Sequence, residues 1–387
     1  MKPKLLRITT VPISLSGLLQ GQMRFMSRYF EITGVSSPDG NTLKNIETKE
    51  GIKTFPVEMT RKITPIKDLK AVYQLYKLFK KEQPIIVHSH TPKAGTLSML
   101  AAKLAGVPHR LHTIAGLPLV ETTGLKRQLL NTVEKFTYAC ATKIYPNAHG
   151  LTKIILENNF TSKDKLKVIA NGSSNGIDTK HFNPKCISEN VKETLNSQLN
   201  ISQSDKVFVF VGRLVGDKGI NELVSAFSTI SQTNSALKLL LVGDYETELD
   251  PLKDETLKAM EMNPKIINTG WVDDVRPFLA IADCLVFPSY REGFPNVVMQ
   301  AGAMGLPAIV SDINGCNEII IEGENGTIIP IKDTEALLKK MKQFLNKELQ
   351  YDSERCRALI TERYERQVVW DALLEEYQRL LGLAKEK

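Results

Sequence analysis

The sequence has no hydrophobic run that approaches the roughly 20 residues of a membrane-spanning helix. Its first residues, MKPKLLRITTVPISL, lack both a sustained apolar core and a small-residue cleavage site, so we expect a first β-strand there and no signal peptide. Its five cysteines are scattered along the chain and show no Cys-x-x-Cys spacing. We therefore expect reduced thiols, mostly in the hydrophobic core, as in a cytosolic protein.

Motifs of several other functional classes are also missing. The glycines never follow the Gly-x-Gly-x-x-Gly pattern, which disfavours a binding site for NAD. The sequence contains neither a nucleic-acid-binding motif nor basic residues interleaved with aromatic ones, so we expect no nucleic-acid partner. Among the histidines and cysteines only His88 and His90 have a spacing that suits two ligands of one metal, and we expect no metal site.

Length and charge both indicate two domains. The chain has 387 residues, whereas single hydrophobic cores stop growing at about 250–300 residues. Residues 1–180 contain 27 Lys and Arg against 12 Asp and Glu, a net charge of +15, and residues 181–387 have a net charge of −8. A basic half of this kind is able to meet nucleic acid, an anionic membrane surface or a phosphorylated acceptor, and solvated lysines on helix faces are the alternative.

Runs of apolar residues alternate with helical patterns along both halves. Predicted strands built around such runs occupy residues 5–10, 85–90, 207–211, 237–242 and 283–287. Continuous apolar strands separated by helices are typical of parallel sheets covered on both faces. The pattern predicts an α/β protein with two doubly wound, Rossmann-like domains, in which ligands bind beyond the carboxyl ends of the strands. We expect residues 11–21 to form a loop and residues 166–170 a last strand in the first half.

Residues 288–307, PSYREGFPNVVMQAGAMGLP, form the most informative segment. The pattern predicts that a buried strand ends at Pro288, that the chain turns, and that a helix begins. Unpaired backbone N–H groups and the helix dipole make such a helix start an anion site. Glu292 lies at its mouth, where it accepts hydrogen bonds from neutral hydroxyl groups. Phosphate donors and sugar acceptors in one turn suit a nucleotide-sugar, and an ordinary strand–turn–helix is the alternative.

A second glycine-rich segment, VGRLVGDKG at residues 211–219, follows the first strand of the second half. Arg213 and Lys218 place two cations near the end of that strand. Fixed cations stabilise the charge that gathers on a diphosphate leaving group as a glycosidic bond breaks, and they do so without a metal. Surface charge beside an ordinary turn is the alternative.

Three segments of the first half contain further candidate residues. A small and polar loop around Gly17 follows the first strand. His88, His90 and Lys93 lie where a strand ends and a helix begins, and His112 lies in the next strand. Histidine hydrogen-bonds hydroxyl groups or assists at an acceptor, and a core or helix-capping role is the alternative for each of these imidazoles.

Together these motifs resemble those of the retaining glycosyltransferases of family 4. Residues 289–307 resemble the Glu-x7-Glu segment of that family, with Gln300 in place of the second glutamate. Residues 212–219 match its G-R-L-x-x-x-K-G pattern, and residues 88–95 resemble its H-x-H-x-x-x-x-G segment. The loop around Gly17 takes the place of the glycine-rich loop that approaches the donor phosphates in the family.

One further segment departs from the family pattern. In the T-x-H-G turn Ala115 occupies the usual position of the histidine, and His112 is near enough in sequence to compensate. The subgroup that the chain most resembles builds bacterial capsule, O-antigen or lipid-linked oligosaccharides.

The resemblance implies the GT-B fold, with two Rossmann-like domains facing a cleft. Residues 1–180 would form an N-terminal acceptor-binding domain and residues 181–365 a C-terminal nucleotide-sugar-binding domain. Residues 366–387 would form a helix that returns to the N-terminal domain. The implied reaction is a retaining, metal-independent transfer of a sugar, an N-acetylhexosamine or a related one, from a UDP-sugar to a hydroxyl of a lipid-linked or polysaccharide acceptor.

The resemblance also implies roles for individual residues. Glu292 would orient the donor sugar, Arg213 and Lys218 would hold the diphosphate, and His112 would assist catalysis. The nucleotide-sugar-binding residues would be Gly17, Gly212, Gly293, Phe294, Pro295, Asn296, Val297 and Gln300. The acceptor-side candidates are His88, His90 and Lys93.

The implied partners are a nucleotide-sugar donor and a lipid-linked or oligosaccharide acceptor, with no cofactor. We expect a cytoplasmic protein that lies on the inner face of the cytoplasmic membrane through its basic N-terminal domain. A GT-B epimerase, a phosphorylase with lysine-bound pyridoxal phosphate and a non-catalytic sugar-binding subunit are the alternatives.

Overall fold

The computed structural model describes residues 2–117, 119, 122–246 and 250–382. The chain forms two compact units, the first made of Met1–Gly176 with Gln367–Lys387 and the second of Ile177–Arg366. The sequence-based prediction placed the divisions after residues 180 and 365. The end of the expected returning helix, residues 383–387, lies outside the described residues.

A six-stranded parallel sheet forms the centre of the first unit, in the order β3-β2-β1-β4-β5-β6. Its strands are β1 (Lys4–Ile8), β2 (Glu31–Ser36), β3 (Lys53–Pro56), β4 (Ile86–Ser89), β5 (His109–Ile114) and β6 (Lys143–Pro146). Its helices are α1 (Pro12–Leu18), α2 (Gln22–Met26), α3 (Thr42–Glu50), α4 (Pro65–Glu82), α5 (Pro92–Ala105), α6 (Gly124–Cys140), α7 (His149–Glu157) and α16 (Arg366–Leu380). Every residue of β4 is buried, so both faces of this central strand are covered.

The second unit contains another six-stranded parallel sheet, in the order β12-β11-β10-β7-β8-β9. Its strands are β7 (Lys206–Val211), β8 (Leu237–Val242), β9 (Ile266–Gly270), β10 (Cys284–Phe287), β11 (Ala308–Ser311) and β12 (Gly326–Ile329). Its helices are α8 (Glu189–Gln198), α9 (Ile220–Ser231), α10 (Asp254–Met262), α11 (Arg276–Ala280), α12 (Asn296–Ala303), α13 (Cys316–Ile319), α14 (Thr334–Leu345) and α15 (Ser353–Tyr364).

The prediction of two parallel, doubly wound sheets is confirmed, and two local predictions are wrong. Residues 11–21, expected to be a loop, contain α1, which begins at Pro12, because the fixed φ of proline suits the first helical position. Residues 166–170, expected to be a strand, contribute only a single bridge between Leu166 and Ile144. The sequence patterns did not indicate the strands β2 and β3.

The hydrophobic core of the first unit includes the last helix of the chain. Leu5, Ile86 and Leu111 of the central strands pack in one cluster with Leu373 and Tyr377 of α16. Burial of this apolar surface stabilises the unit by roughly 25 cal/mol per Å² removed from water. The helix α16 is therefore part of the fold of the first unit, although almost two hundred residues of the second unit precede it.

A buried arginine joins the sheet of the first unit to α16. Arg7 is fully buried; its Nε donates to His90 Nε2 at 3.0 Å, its Nη1 donates to the Tyr377 hydroxyl at 3.0 Å, and its Nη2 donates to Gln22 Oε1. Burial lowers the pKa of Arg7, but a guanidinium stays charged in proteins. These three partners are neutral acceptors, so the buried charge is stabilised there by hydrogen bonds, and the loss of any acceptor leaves a costly unsatisfied donor.

We expect Tyr377→Phe to lower the free energy of unfolding of the first unit by about 1–3 kcal/mol. The hydroxyl accepts from Arg7 and contacts His88 Nδ1 at 2.5 Å, and both groups lose that partner in the variant. Tyr73→Phe is the matched control, because the Tyr73 side chain is exposed and its change should stay within about 0.5 kcal/mol. Urea denaturation of the full chain measures both, and equal midpoints for the two variants would contradict the role given to the network.

Candidate active site

Two loops lie at the same edge of the sheet in the second unit. Residues 212–219, here called the first glycine loop, follow β7, and residues 288–295, the second glycine loop, follow β10. β7 and β10 are neighbouring parallel strands, with Phe208 opposite Cys284. Because parallel neighbours end at the same edge of a sheet, both loops lie beyond the carboxyl ends, where α/β proteins bind their ligands.

Lys218 and Glu292 form an ion pair between the two glycine loops. The Lys218 ammonium donates to Glu292 Oε1, and Ser289 Oγ donates to the same oxygen at 3.3 Å. The two charged side chains are 13% and 20% exposed. An ammonium has three N–H donors and a carboxylate has about four lone-pair sites, so both groups keep hydrogen-bonding capacity for a ligand. The structure thus brings together a cation and a carboxylate that both have hydrogen-bonding capacity to spare.

Close approach of the backbone makes this ion pair possible. Gly219 has a φ of +70°, and a Cβ atom there would lie 2.2 Å from the carbonyl oxygen of Pro288 in the second loop. Gly315 has a φ of +75°, and a Cβ atom there would lie 2.7 Å from the Cα of Phe294. Only glycine adopts these φ angles freely and has no Cβ atom that would clash. Gly219 therefore allows the two glycine loops to approach each other, and Gly315 allows its own segment to approach the second loop.

Most backbone N–H groups of the first glycine loop already have acceptors, so cationic side chains are its main groups for binding an anion. Its N–H groups that donate to backbone carbonyl oxygens belong to Gly212, Leu214, Val215, Gly216, Lys218 and Gly219. The Arg213 side chain is about half exposed and pairs with Glu246. An anion at this loop therefore meets the side chains of Arg213 and Lys218, and it competes with Glu246 for the guanidinium.

The second glycine loop leads directly into α12. Pro295 is the residue before the first turn, and no side chain caps that turn. The first N–H groups of an α-helix have no carbonyl partner within the helix, and together with the helix dipole they favour an anion. α12 begins shortly after Glu292 in the sequence, and the Lys218 ammonium contacts Glu292, so the carboxylate has a helix start and a cation as neighbours.

The predicted nucleotide-sugar-binding residues of this segment fall into two groups. Asn296 is exposed, and Val297 and Gln300, three positions apart on one face of α12, are half-buried. These three side chains are accessible to a ligand. Phe294 and Pro295 are buried, and the Phe294 ring packs against the Tyr364 ring with 5.3 Å between the ring centroids. Their side chains shape the loop, and a direct contact with the nucleotide stays a prediction.

Asp217, which the sequence patterns did not single out, joins the two glycine loops. Its backbone oxygen accepts the N–H of Tyr290 at 2.8 Å. Its carboxylate accepts two hydrogen bonds from Arg291, at 2.9 and 2.7 Å. The only available signal was an acidic residue directly before the motif residue Lys218, and a one-dimensional pattern does not show its partner.

The acceptor-side candidates His88 and His90 are interior groups of the first unit, 1% and 4% exposed. His88 Nδ1 contacts the Tyr377 hydroxyl at 2.5 Å and its Nε2 contacts Thr113 Oγ1 at 2.7 Å, whereas His90 Nε2 accepts from Arg7. Burial is the main reason why the pKa of each imidazole is well below 6.5, so both are neutral at physiological pH. A contact of either ring with an acceptor stays a prediction.

His112, the predicted catalytic residue of the first unit, lies against Gly95 at the start of α5. Its ring is 3% exposed, and its Nδ1 contacts Ser89 Oγ at 2.9 Å. A Cβ atom at Gly95 would lie 2.3 Å from the imidazole Cε1, so this glycine provides the space for the ring. Burial lowers the pKa of His112 to about 4. The structure thus gives the glycine of the H-x-H-x-x-x-x-G segment a packing role, and catalysis by His112 stays a prediction.

Lys93 and Gly17 occupy different environments. The Lys93 ammonium donates to Asp68 Oδ2 at 2.5 Å and to the carbonyl oxygen of Lys62 at 2.9 Å, which ties the start of α5 to α4. Gly17 lies within α1, and beyond its chain neighbours and its own helix backbone no heavy atom lies within 4 Å of the position of a Cβ atom there. Gly17 therefore has free space for a side chain, and its contact with a donor stays a prediction.

Neither a metal-binding cluster nor a membrane-spanning helix is present among the described residues. Within residues 2–117, 119, 122–246 and 250–382, no three His, Cys, Asp or Glu side chains are grouped so that they could hold a metal ion. Across the same ranges, no helix combines the length and the apolar character that crossing a bilayer requires.

Comparisons with known proteins identify the family. The family model "Glycosyl transferases group 1" matches residues 191–366, and "Glycosyl transferase 4-like" matches residues 19–148. The capsular polysaccharide biosynthesis glycosyltransferase CapM of Staphylococcus aureus is 31% identical over 99% of both chains. An Escherichia coli relative, the UDP-Gal:alpha-D-GlcNAc-diphosphoundecaprenol alpha-1,3-galactosyltransferase, is 30% identical over 92% of this chain and 93% of its own length.

A solved structure supports the fold. The crystal structure of Anabaena HepE in complex with UDP superimposes with a TM-score of 0.79 and covers 98% of this chain and 100% of its own. At 17% sequence identity this likeness concerns the fold alone.

We expect the first unit to lose stability as the pH falls below about 6.5. His88, His90 and His112 have lowered pKa values in the folded state, so the unfolded chain binds protons first. Their contribution is fully present above the unfolded pKa, and as the pH falls towards the folded value it is lost by about 1.4 kcal/mol per pH unit for each histidine. Urea denaturation at about pH 7.5, 6.5 and 5.5 measures this slope, since few carboxylates titrate in that range. A free energy of unfolding that stays constant down to about pH 5.5 would show that these rings are not buried as neutral groups.

Proposed function

The chain belongs to the group 1 glycosyltransferases, and we propose that it transfers a sugar from a UDP-sugar to a hydroxyl group of a lipid-linked or polysaccharide acceptor. The observation that carries the proposal is the contact between Lys218 and Glu292. It places a cation for phosphate and a carboxylate for sugar hydroxyls side by side at the edge of the sheet where α/β proteins bind ligands.

The proposed donor site has a distinct place for each part of a UDP-sugar. Lys218, Arg213 and the start of α12 would hold the diphosphate, and Arg213 would leave Glu246 to do so. The amide of Gln300, half-buried on α12, would accept a hydrogen bond from one ribose hydroxyl and donate one to the other. The name of the Escherichia coli relative contains UDP-Gal, and the HepE structure contains UDP, which supports a uridine nucleotide. The transferred sugar would be an N-acetylhexosamine or a related one.

The proposed chemistry needs no metal and no protein nucleophile. As the glycosidic bond breaks, negative charge gathers on the diphosphate, where Lys218 and Arg213 stabilise it. Glu292 would orient the donor sugar by accepting hydrogen bonds from its hydroxyls. The departing phosphate oxygen would take the proton of the acceptor hydroxyl, which attacks from the same face, so that the configuration at the anomeric carbon is retained.

The acceptor side of the proposal rests on an apolar and basic surface of the first unit. Helices α4 and α6 pack on either side of α5, and each connects parallel strands, so both begin at the carboxyl edge of the sheet. Ile66 and Leu69 in the first turns of α4 are 88% and 72% exposed, and Leu125 at the start of α6 is 83% exposed. Lys67 and Lys126 lie exposed beside them. Apolar side chains flanked by lysines at one edge fit an anionic lipid surface.

A lipid surface also fits the proposed acceptor. One relative is named for capsular polysaccharide biosynthesis, and the other for a diphosphoundecaprenol-linked acceptor. We therefore propose that the chain acts on a membrane-borne acceptor at the inner face of the cytoplasmic membrane and docks there through this surface.

Turnover of UDP-sugars tests the proposed reaction. We expect release of UDP from one of a panel of UDP-sugars, including N-acetylhexosamine donors, that depends on an added acceptor and persists in excess chelator. Glu292→Gln should lower kcat by more than about tenfold, a loss of about 1.4 kcal/mol of transition-state stabilisation, because a neutral amide accepts hydrogen bonds less strongly.

Glu261→Gln is the matched control, because Glu261 is an exposed residue of α10. It should retain the kcat of the wild type. Normal kcat in a folded Glu292→Gln variant would remove Glu292 from the site. Complete loss of activity in chelator, restored by a divalent metal, would contradict the metal-free mechanism. Consumption of a UDP-sugar without any acceptor would indicate an epimerase.

Co-sedimentation with vesicles tests the membrane surface. We expect binding to anionic vesicles that weakens steeply with salt, since each basic residue near the surface contributes about 1 kcal/mol and the effect decays within a Debye length. The double variant Ile66→Ser, Leu69→Ser should bind more weakly. Leu104→Ser is the matched control, because Leu104 is 60% exposed at the opposite end of α5. Equal binding by both variants, or by neutral and anionic vesicles, would refute docking through this surface.

A further inference from the structure

A carboxylate outside both sequence motifs holds the first glycine loop in place. Asp250 Oδ2 accepts the backbone N–H of Asp217 at 2.5 Å, and the backbone oxygen of Asp250 accepts the N–H of Gly216 at 3.2 Å. Two consecutive amides of the tight turn Gly216–Lys218 therefore have their partners on one residue from another segment of the second unit.

Gly216 is the residue that lets this carboxylate reach the turn. A Cβ atom at Gly216 would lie 2.9 Å from Asp250 Oδ1 and 3.1 Å from Oδ2. Real Cβ atoms almost never approach an oxygen so closely, and any other residue would push the carboxylate away from the Asp217 amide. The contact is thus built into the packing of the loop.

The turn that Asp250 holds is also the point where the two glycine loops meet. Asp217 accepts the N–H of Tyr290 through its backbone oxygen and two N–H groups of Arg291 through its carboxylate. The next residue is Lys218, whose ammonium contacts Glu292. A displacement of the Asp217 backbone would therefore move both members of the ion pair relative to each other.

Electrostatics alone gives no reason for an acidic residue at this place. A carboxylate close to a diphosphate weakens its binding through charge repulsion. Asp250 is half-buried and makes its hydrogen bonds to backbone amides of the turn, so its contribution is geometric.

We propose that Asp250 is a positioning residue of the donor site, which fixes the turn Gly216–Lys218 so that the Lys218 ammonium meets Glu292 and the donor diphosphate. The inference rests on the proposed function, because it assigns a purpose to the same site. Asp250 touches neither the donor nor the reacting atoms, and it acts through Lys218.

Titration calorimetry with UDP tests this role in the full-length protein. We expect Asp250→Ala to weaken UDP binding about tenfold, because the turn that carries Lys218 loses its charge-assisted hydrogen bond to the Asp217 amide. Asp250→Asn keeps an oxygen acceptor for the Asp217 amide and should stay within about threefold of the wild type. Glu261→Ala, an exposed acidic residue of α10, should not change the affinity.

A double-mutant cycle separates positioning from a general loss of stability. If Asp250 acts through Lys218, Asp250→Ala should change the UDP affinity of a Lys218→Ala variant by less than about twofold, since coupled residues are not additive. An unchanged affinity in Asp250→Ala, an Asn variant as weak as the Ala variant, or a fully additive double variant would each overturn the proposal.

Hydrogen exchange tests the geometry without any ligand. Peptides that cover residues 211–219 should exchange faster in Asp250→Ala than in the wild type and Asp250→Asn, because the Asp217 amide loses its acceptor. Equal exchange in all three proteins would overturn the proposed contact. A wild type that binds no UDP but shows the expected exchange pattern would instead refute the proposed function and leave the held turn established.

Discussion

The parallel pairing of β7 and β10 is the constraint on which the proposed donor site depends. Lys218 and Glu292 are 74 positions apart in sequence, and they meet because parallel neighbours end at the same edge of a sheet. Close backbone approach at Gly219 then brings the loops into contact. A largely buried ammonium without a partner is costly, so the carboxylate stabilises the ligand-free loop as well as serving the proposed chemistry. The Lys218–Glu292 ion pair thus links the fold to the proposed function.

Hydrophobic patterning was sufficient for the central strands of both sheets, and it missed β2 and β3 on one side of the first sheet. β7 and β8 are almost entirely apolar, as is typical of strands in a sheet covered on both faces. β3, with the sequence KTFP, lies at the edge of its sheet and is mostly exposed, so it contains no such run. The helix α1 was missed because its seven residues show too few turns for a helical period to be recognised, and only Pro12 marks its start.

The same distinction applies to the candidate site. Glu292 and Lys218 each lie in a short segment marked by glycine, and for Glu292 also by proline. A linear sequence pattern was therefore able to indicate them. Asp217 and Asp250 act through backbone amides and a partner from another loop, which no linear spacing encodes. The histidine spacing at His88 correctly placed two rings on one face of a strand, but sequence alone does not tell whether a central strand presents that face to a ligand or to the core.

The two cations of the proposed donor site, Arg213 and Lys218, differ in how strongly their ion pairs restrain them. Arg213 and Glu246 are 53% and 34% exposed, and pairs of this kind contribute about 0–1 kcal/mol, so a diphosphate would displace the carboxylate at little cost. Lys218 and Glu292 are much less exposed, and Glu292 is held by Ser289 as well. In the proposed donor complex Lys218 would therefore bind phosphate without leaving Glu292, and the carboxylate would stay beside the diphosphate and the sugar. The difference in burial thus makes Arg213 the movable cation and Lys218 the fixed one.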